Sequence, residues 1–173
     1  MINFLYKITM LVIVALVQVY LFDRLPSLPH LHFSFYLTFV LLLSIKTPPM
    51  MVMLLSSLLG VVIDLLTGTG GLITIAITSA AYLRILLLKH MVSEDSIGYD
   101  FTPSIATIGG GRWAFYCITI VAVNGLLLVV CESGGLVFIN TQVFIRLLLN
   151  IALTTVILYI TQFLINHRPK SSY

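Results

Sequence analysis

The chain has 173 residues, of which 60% are apolar and 9% charged, with a net charge of +3 and a mean hydropathy of +1.12. Soluble domains carry about 25% charged residues, so this composition excludes a water-exposed globular protein, a disordered chain and a disulfide-rich secreted module. The apolar runs are continuous and helix-length, without the period-two alternation of barrel strands. The expected class is all-α: a polytopic helical membrane protein.

The first apolar run, Phe4–Phe22, carries Lys7 near its start and ends at Asp23-Arg24-Leu25-Pro26, with no small-residue cleavage pattern. It predicts an uncleaved membrane anchor rather than a signal peptide. The second, Phe33–Ile45, is only thirteen residues long, against the roughly 20 needed to cross the hydrocarbon core. It is either re-entrant or extends back to Leu25, at the cost of including Pro26 and Pro29. The third and fourth runs are Met50–Leu66 and Leu72–Leu88. The fifth is Trp113–Cys131 and the sixth Val143–Ile165. Thr102-Pro103 fits a helix N-cap and first position, so the fifth helix is expected to begin at Pro103 and pass Arg112 before entering lipid.

Charge chooses between the two fates of the second run. With six crossings and a cytoplasmic N-terminus, Lys7, Lys46, Lys89, Arg112, Arg168 and Lys170 face inward and Arg24 outward. Without the second crossing, the last five of those inward residues face out, against the positive-inside rule. The expectation is one six-helix transmembrane domain over residues 1–173, with both termini inside. Its outer connections are Asp23–His32, Thr67–Gly71 and Glu132–Asn140, and Lys89–Gly111 is the largest inner loop.

Polar groups inside the spans are the candidate functional residues, because ionisable groups at membrane depth are costly and usually face other helices or a cavity. Ser56, Gly60 and Asp64 lie at i, i+4, i+8 on one face of the third helix, where small residues admit a second helix closely. Two readings of Asp64 stand open. It caps the next helix or reaches interfacial water, or it meets a charged partner or ligand. On the sixth helix Gln142, Arg146, Asn150 and Thr154 form a slanting band. Arg146 either snorkels to the outer headgroups or pairs with Asp64, and Glu132 is a second possible partner for it. Asn124 on the fifth helix lies near mid-membrane and predicts an interhelical hydrogen bond. Thr74, Thr78 and Tyr82 on the fourth helix, with Gln18 on the first, allow a polar interior, and packing glue is the favoured reading of these rows over substrate contacts.

No catalytic constellation is visible. Gly109-Gly110-Gly111 before Arg112 lacks the phosphate-loop pattern and its preceding strand, and reads as a flexible or closely packed helix start. Ser133 follows Glu132, but no histidine is placed near it. Cys117 and Cys131 are about 21 Å apart on one helix and cannot pair, so they are expected as free, lipid-buried thiols. His30, His32, His90 and His167 lie near the interfaces, with loop histidines the favoured reading and a weak outer metal pair at His30 and His32 the other. The basic inner face fits topology and anionic headgroups rather than nucleic acid. No enzyme activity, cofactor or metal is expected.

The segment LLSSLLGVVIDLLTGTGGLITIAI, Leu54–Ile77, resembles the MreD family of bacterial rod-shape-determining membrane proteins. The matching positions are Gly60, Asp64, Gly68, Gly70, Gly71 and Leu72. The resemblance extends to chain length, to Gln18 in the first helix, to Pro26 and Pro29, and to the Thr141…Arg146 spacing. The segment Pro103–Tyr116 looks like versions found in Bacteroidetes-type members, whereas ESGGLVFIN, 132–140, departs from the pattern in its glycines. The resemblance implies a non-enzymatic inner-membrane component of the cell-elongation machinery that supports cell shape and peptidoglycan synthesis. Its implied partners are an MreC-like single-span protein and, indirectly, MreB, RodA and a class B penicillin-binding protein. It also implies a fold like that of the six-helix substrate-binding subunits of energy-coupling-factor transporters. The candidate partner-binding or buried polar residues are then Gly60, Asp64, Asn124, Glu132, Arg146 and Asn150. The alternative reading is a small-molecule-binding subunit of such a transporter.

Overall fold

Apolar runs of about 20 residues satisfy their own backbone only as helices when water is absent, and every regular element among the described residues is helical. The computed structural model describes residues 2–22, 34–91, 103, 108–132 and 141–166, without the side chains of 2–6, 21–22, 141–143, 146 and 163–166. Helix α1 is Ile2–Val17, continued by a π-helical turn, Gln18–Phe22. Then follow α2, Leu37–Leu42; α3, Pro49–Thr67; and α4, Leu72–Met91. Helix α5 is Gly110–Glu132 and α6 is Thr141–Asn166. Three of these, α3, α4 and α5, are long and apolar enough to cross a membrane, spanning about 29 to 35 Å at 1.5 Å per residue.

The ends of α3 follow from local chemistry. Pro49 occupies its first turn, where a missing N–H costs nothing. Gly68 closes it in the left-handed region, φ 73°, and donates its N–H to the Asp64 carbonyl at 2.8 Å. Gly70 and Gly71 also take positive φ, so four residues reverse the chain into α4.

That tight reversal makes α3 and α4 an antiparallel hairpin, and Gly60 sets its spacing. A Cβ added there would lie 2.6 Å from the Thr74 Cα and 2.8 Å from the Ile77 Cγ2. The second helix admitted by the small-residue stripe is therefore this chain's own α4. Around the hairpin, α1 and α2 pack on one side, α5 packs on α4, and α6 packs on α5 at the edge. The core gathers Leu55, Leu59 and Ile63 from α3, Ile77, Ala80 and Ala81 from α4, and Tyr116 and Ile120 from α5. Trp113 of α5 meets Tyr159 of α6 edge to face, with centroids 5.8 Å apart.

The outward faces are apolar: Leu54, Leu58, Val61 and Leu65 on α3, Phe115, Ile118 and Leu126 on α5, and Phe144, Ile145, Leu148 and Leu149 on α6. Such a belt suits lipid and not water.

Two boundary expectations change. The fifth helix does not run continuously from Pro103, because Gly109 has φ 90° and α5 proper begins at Gly110. Its glycine start is not closely packed, since a Cβ at Gly109 or Gly111 would meet nothing within 4 Å. The second run holds a helix of only six residues, with irregular backbone on both sides. The stretch 23–33 that would complete a crossing lies outside the described residues.

Candidate functional site

Irregular backbone at membrane depth is tolerated only where protein or water satisfies its polar groups. The short α2 segment, 34–48, draws in polar side chains from the surrounding helices at three levels, of which Gln18 and Arg84 reach its backbone while Asn124 and Lys7 reach its side chains. At the first, Gln18 in the π turn accepts the Tyr36 backbone N–H through Oε1 at 3.2 Å. Asn124 of α5 donates from Nδ2 to the Ser34 Oγ at 3.1 Å and pairs with the Tyr36 hydroxyl at 3.0–3.3 Å. All four residues are buried. At the second level, α2 ends at Leu43 (ψ 139°) and its carbonyl accepts from Arg84 Nη2 of α4 at 2.5 Å. At the third, Lys7 Nζ of α1 donates to the Thr47 Oγ1 at 2.9 Å.

These levels also fix how charge is distributed. The chain descends from Tyr36 through Leu43 to Thr47, while α1 runs back from Gln18 to Lys7. Helix α5 runs back from Asn124 to Tyr116, whose ring lies within electrostatic reach of Arg84. Lys7, Lys46, Lys89 and Arg112 therefore share one end of the bundle, and Asp64 and Glu132 the other.

Asp64 forms a second constellation. Its Oδ1 accepts from the Thr69 hydroxyl and from the Ile73 N–H at 3.0 Å. Its Oδ2 accepts from the Thr74 N–H at 2.8 Å and the Thr74 hydroxyl at 2.5 Å. The Ile73 and Thr74 amides belong to the first turn of α4, so Asp64 caps that helix from its neighbour and places its charge at the positive end of the dipole. A carboxylate offers about four acceptor positions, and all four are taken. Arg146, the other partner expected for it, has its side chain outside the described ones.

The remaining expected residues divide. Asn124, expected to bond to another helix, bonds instead to Ser34 and Tyr36 in the stretch just before α2. Glu132 is exposed at the far end of α5. On α6 Thr154 is buried and Asn150 half-buried, with the Asn150 Oδ1 enclosed and unbonded. The Gln142 side chain is outside the description. The α4 row splits: Thr74 serves Asp64, the Thr78 hydroxyl bonds back to the Thr74 carbonyl at 2.7 Å, and Tyr82 is 55% exposed on the outer face. Steps of four residues drift by about 40° each, enough to carry Tyr82 out of the interior. Cys117 is free but buried within the bundle rather than against lipid, and Cys131 is free and half-buried. Among the described residues no three His, Cys, Asp or Glu side chains gather to hold a metal; His30, His32 and His167 lie outside them.

Ser34, Tyr36, Thr69 and Tyr116 were not singled out from sequence. A signal existed for the first two: a hydroxyl pair inside a run too short to span. For Thr69 it was a hydroxyl between glycines, five residues after a buried acid. Comparison with protein-family models, curated proteins and solved structures finds no match to this chain.

Proposed function

We propose that the chain is a non-enzymatic scaffold of the bacterial cell-elongation complex, an MreD-type protein of the inner membrane that binds an MreC-like single-span partner. In this reading the chain crosses six times with both termini inside, folded like the substrate-binding subunits of energy-coupling-factor transporters. The observation that carries the reading is the use of the motif behind the resemblance. Gly60, Asp64 and Gly68 act together as one interhelical clasp, with Gly60 admitting α4, Asp64 capping it and Gly68 closing α3. A rigid hairpin of this kind suits a platform on which other helices assemble. The basic end carrying Lys7, Lys46, Lys89 and Arg112 faces the cytoplasm under the positive-inside rule. MreB, RodA and a class B penicillin-binding protein are the indirect partners, and the partner's single helix lies against the apolar outer belt.

One observation favours the second reading, a small-molecule-binding subunit. Helix α2 is short and flanked by irregular backbone inside the bundle, and broken helices form binding sites in many transporters. Against it, Gln18 and Asn124 spend their polar atoms on the α2 segment itself.

Crosslinking in native membranes through a C-terminal tag, followed by identification of the copurifying proteins, separates the two. Recovery of a single-span MreC-like protein with elongation synthases supports the scaffold. Recovery of an energy-coupling membrane subunit with ATPases overturns it in favour of ligand capture. A panel of vitamins and metals in a thermal-stabilisation assay gives an independent reading of the second.

A further inference from the structure

Arg84 is 2% exposed, yet among the described residues its guanidinium makes a single hydrogen bond, to the Leu43 carbonyl, and its Nε–H has no partner. Beside it the Tyr116 hydroxyl, on a fully buried ring, makes no other hydrogen bond among the described residues and lies close enough to the Arg84 guanidinium to interact with it. A guanidinium offers five N–H donors in a planar fork, so most of this group's capacity is unspent. No described carboxylate can neutralise it. Asp64 is saturated at the far end of the hairpin, and Arg84 lies ten residues, about 15 Å, beyond Thr74. Glu132 lies sixteen residues, about 24 Å, from Tyr116 along α5. A buried cation held by one carbonyl is an expensive arrangement unless an anion completes it.

Two described cations stand near this pair, while Glu94, Asp95 and Asp100, in the stretch that joins α4 to α5, lie outside the described residues. Lys89 is exposed about 7.5 Å further along α4, and Arg112 is exposed about 6 Å back along α5. Lys7 and Lys46 stand at the same end. The donor fork, the phenol and this rim match an oxoanion with several acceptor oxygens.

We infer that Arg84 and Tyr116 form a binding site for a phosphate group at the basic end of the bundle, entered between α4 and α5 past Lys89 and Arg112. The phosphate can be the headgroup of an anionic phospholipid or free inorganic phosphate. The site is independent of the scaffold reading and of any partner protein.

The test uses the full-length protein in neutral detergent, with Trp113 fluorescence following thermal unfolding. The probes are phosphatidylglycerol, phosphatidylcholine and inorganic phosphate. Wild type is expected to be stabilised by phosphatidylglycerol in preference to phosphatidylcholine, or by inorganic phosphate, and the stronger of these two responses identifies the source. Tyr116→Phe keeps the ring and removes one donor, so it is expected to fold normally and weaken the response about tenfold in concentration, the value of one hydrogen bond to a charged group. Arg84→Gln is expected to abolish the response. Lys89→Gln with Arg112→Gln is expected to weaken it in low salt only, since rim charges are screened. A wild type indifferent to both phosphatidylglycerol and inorganic phosphate overturns the inference. So does a Tyr116→Phe variant that responds as wild type does.

Discussion

Gly60→Ala is expected to loosen the bundle more than an added methyl at any other described glycine of its helices. The added methyl would sit 2.6 Å from the Thr74 Cα and 3.1 Å from the Thr74 nitrogen, whereas ordinary contacts begin near 3.4 Å. Backbone cannot rotate away as a side chain end can, so α3 and α4 must separate by most of an ångström. Overpacking of this kind costs about 1–3 kcal/mol, and a contact against backbone belongs at the upper end. The separation also strains the Thr74 N–H bond to Asp64, a charge-assisted bond in its own right. Against these losses, replacing a helical glycine by alanine returns about 1 kcal/mol. The net expectation is a loss of about 2 kcal/mol, roughly a thirtyfold change in the folded-to-unfolded ratio. Gly125→Ala is the internal control. Its Cβ would meet the Leu147 Cδ1 at 3.0 Å, the far end of a flexible side chain, so it should be near neutral. Both are read by reversible unfolding in mixed micelles, with Trp113, the single tryptophan, as reporter. A Gly60→Ala protein as stable as wild type, or less harmed than Gly125→Ala, would refute the close-approach argument.

Asp64→Asn should cost about 1–3 kcal/mol, because an amide replaces one acceptor oxygen by a donor facing the Thr74 or Thr69 donors, and equilibrium unfolding measures it. Combined with Arg146→Gln, the losses should add within about 0.5 kcal/mol, since Asp64 already accepts four hydrogen bonds within the hairpin; a larger coupling energy would establish the ion pair. Tyr36→Phe and Asn124→Leu should couple by about 0.6 kcal/mol, and by no more than about 1.7 kcal/mol, in a double-mutant cycle, the mean and maximum for hydrogen bonds between helices in lipid. Gln18→Leu strands the Tyr36 N–H and should speed amide exchange at Tyr36 well ahead of exchange in α3, which hydrogen-exchange mass spectrometry resolves.

Hydropathy made the long apolar runs legible to within a few residues, although the expected start of the fifth helix at Pro103 did not hold. The run Met50–Leu66 became Pro49–Thr67, and Trp113–Cys131 became Gly110–Glu132, because a continuous apolar stretch has one low-energy form when water is absent. Asp64 was legible as two alternatives. The capping geometry carries one of them because the glycine turn brings the first amides of α4 back over the end of α3, which depends on three left-handed residues rather than on periodicity. Tyr82 misled because a row at four-residue spacing looks straight in sequence and drifts on a helix.

What could not be read was the destination of the buried polar side chains. Arg84 ends on the Leu43 carbonyl, Gln18 on the Tyr36 amide, and Asp64 on two amides of α4. Backbone groups carry no residue identity, so a side chain whose partner is backbone has no signature at the partner's position. The demand was nonetheless written in the second run, too short for a full crossing helix and so obliged to expose backbone at depth. Gln18 and Arg84 answer that demand directly, while Asn124 and Lys7 bond to the side chains of Ser34, Tyr36 and Thr47. The broken segment is thus a reason for Gln18 and Arg84 to be inside, and a variant that lengthened α2 into a regular helix would leave those two as costs without compensation. Lengthening α2 should therefore destabilise the bundle despite its better helix, an outcome that propensity alone would predict with the opposite sign.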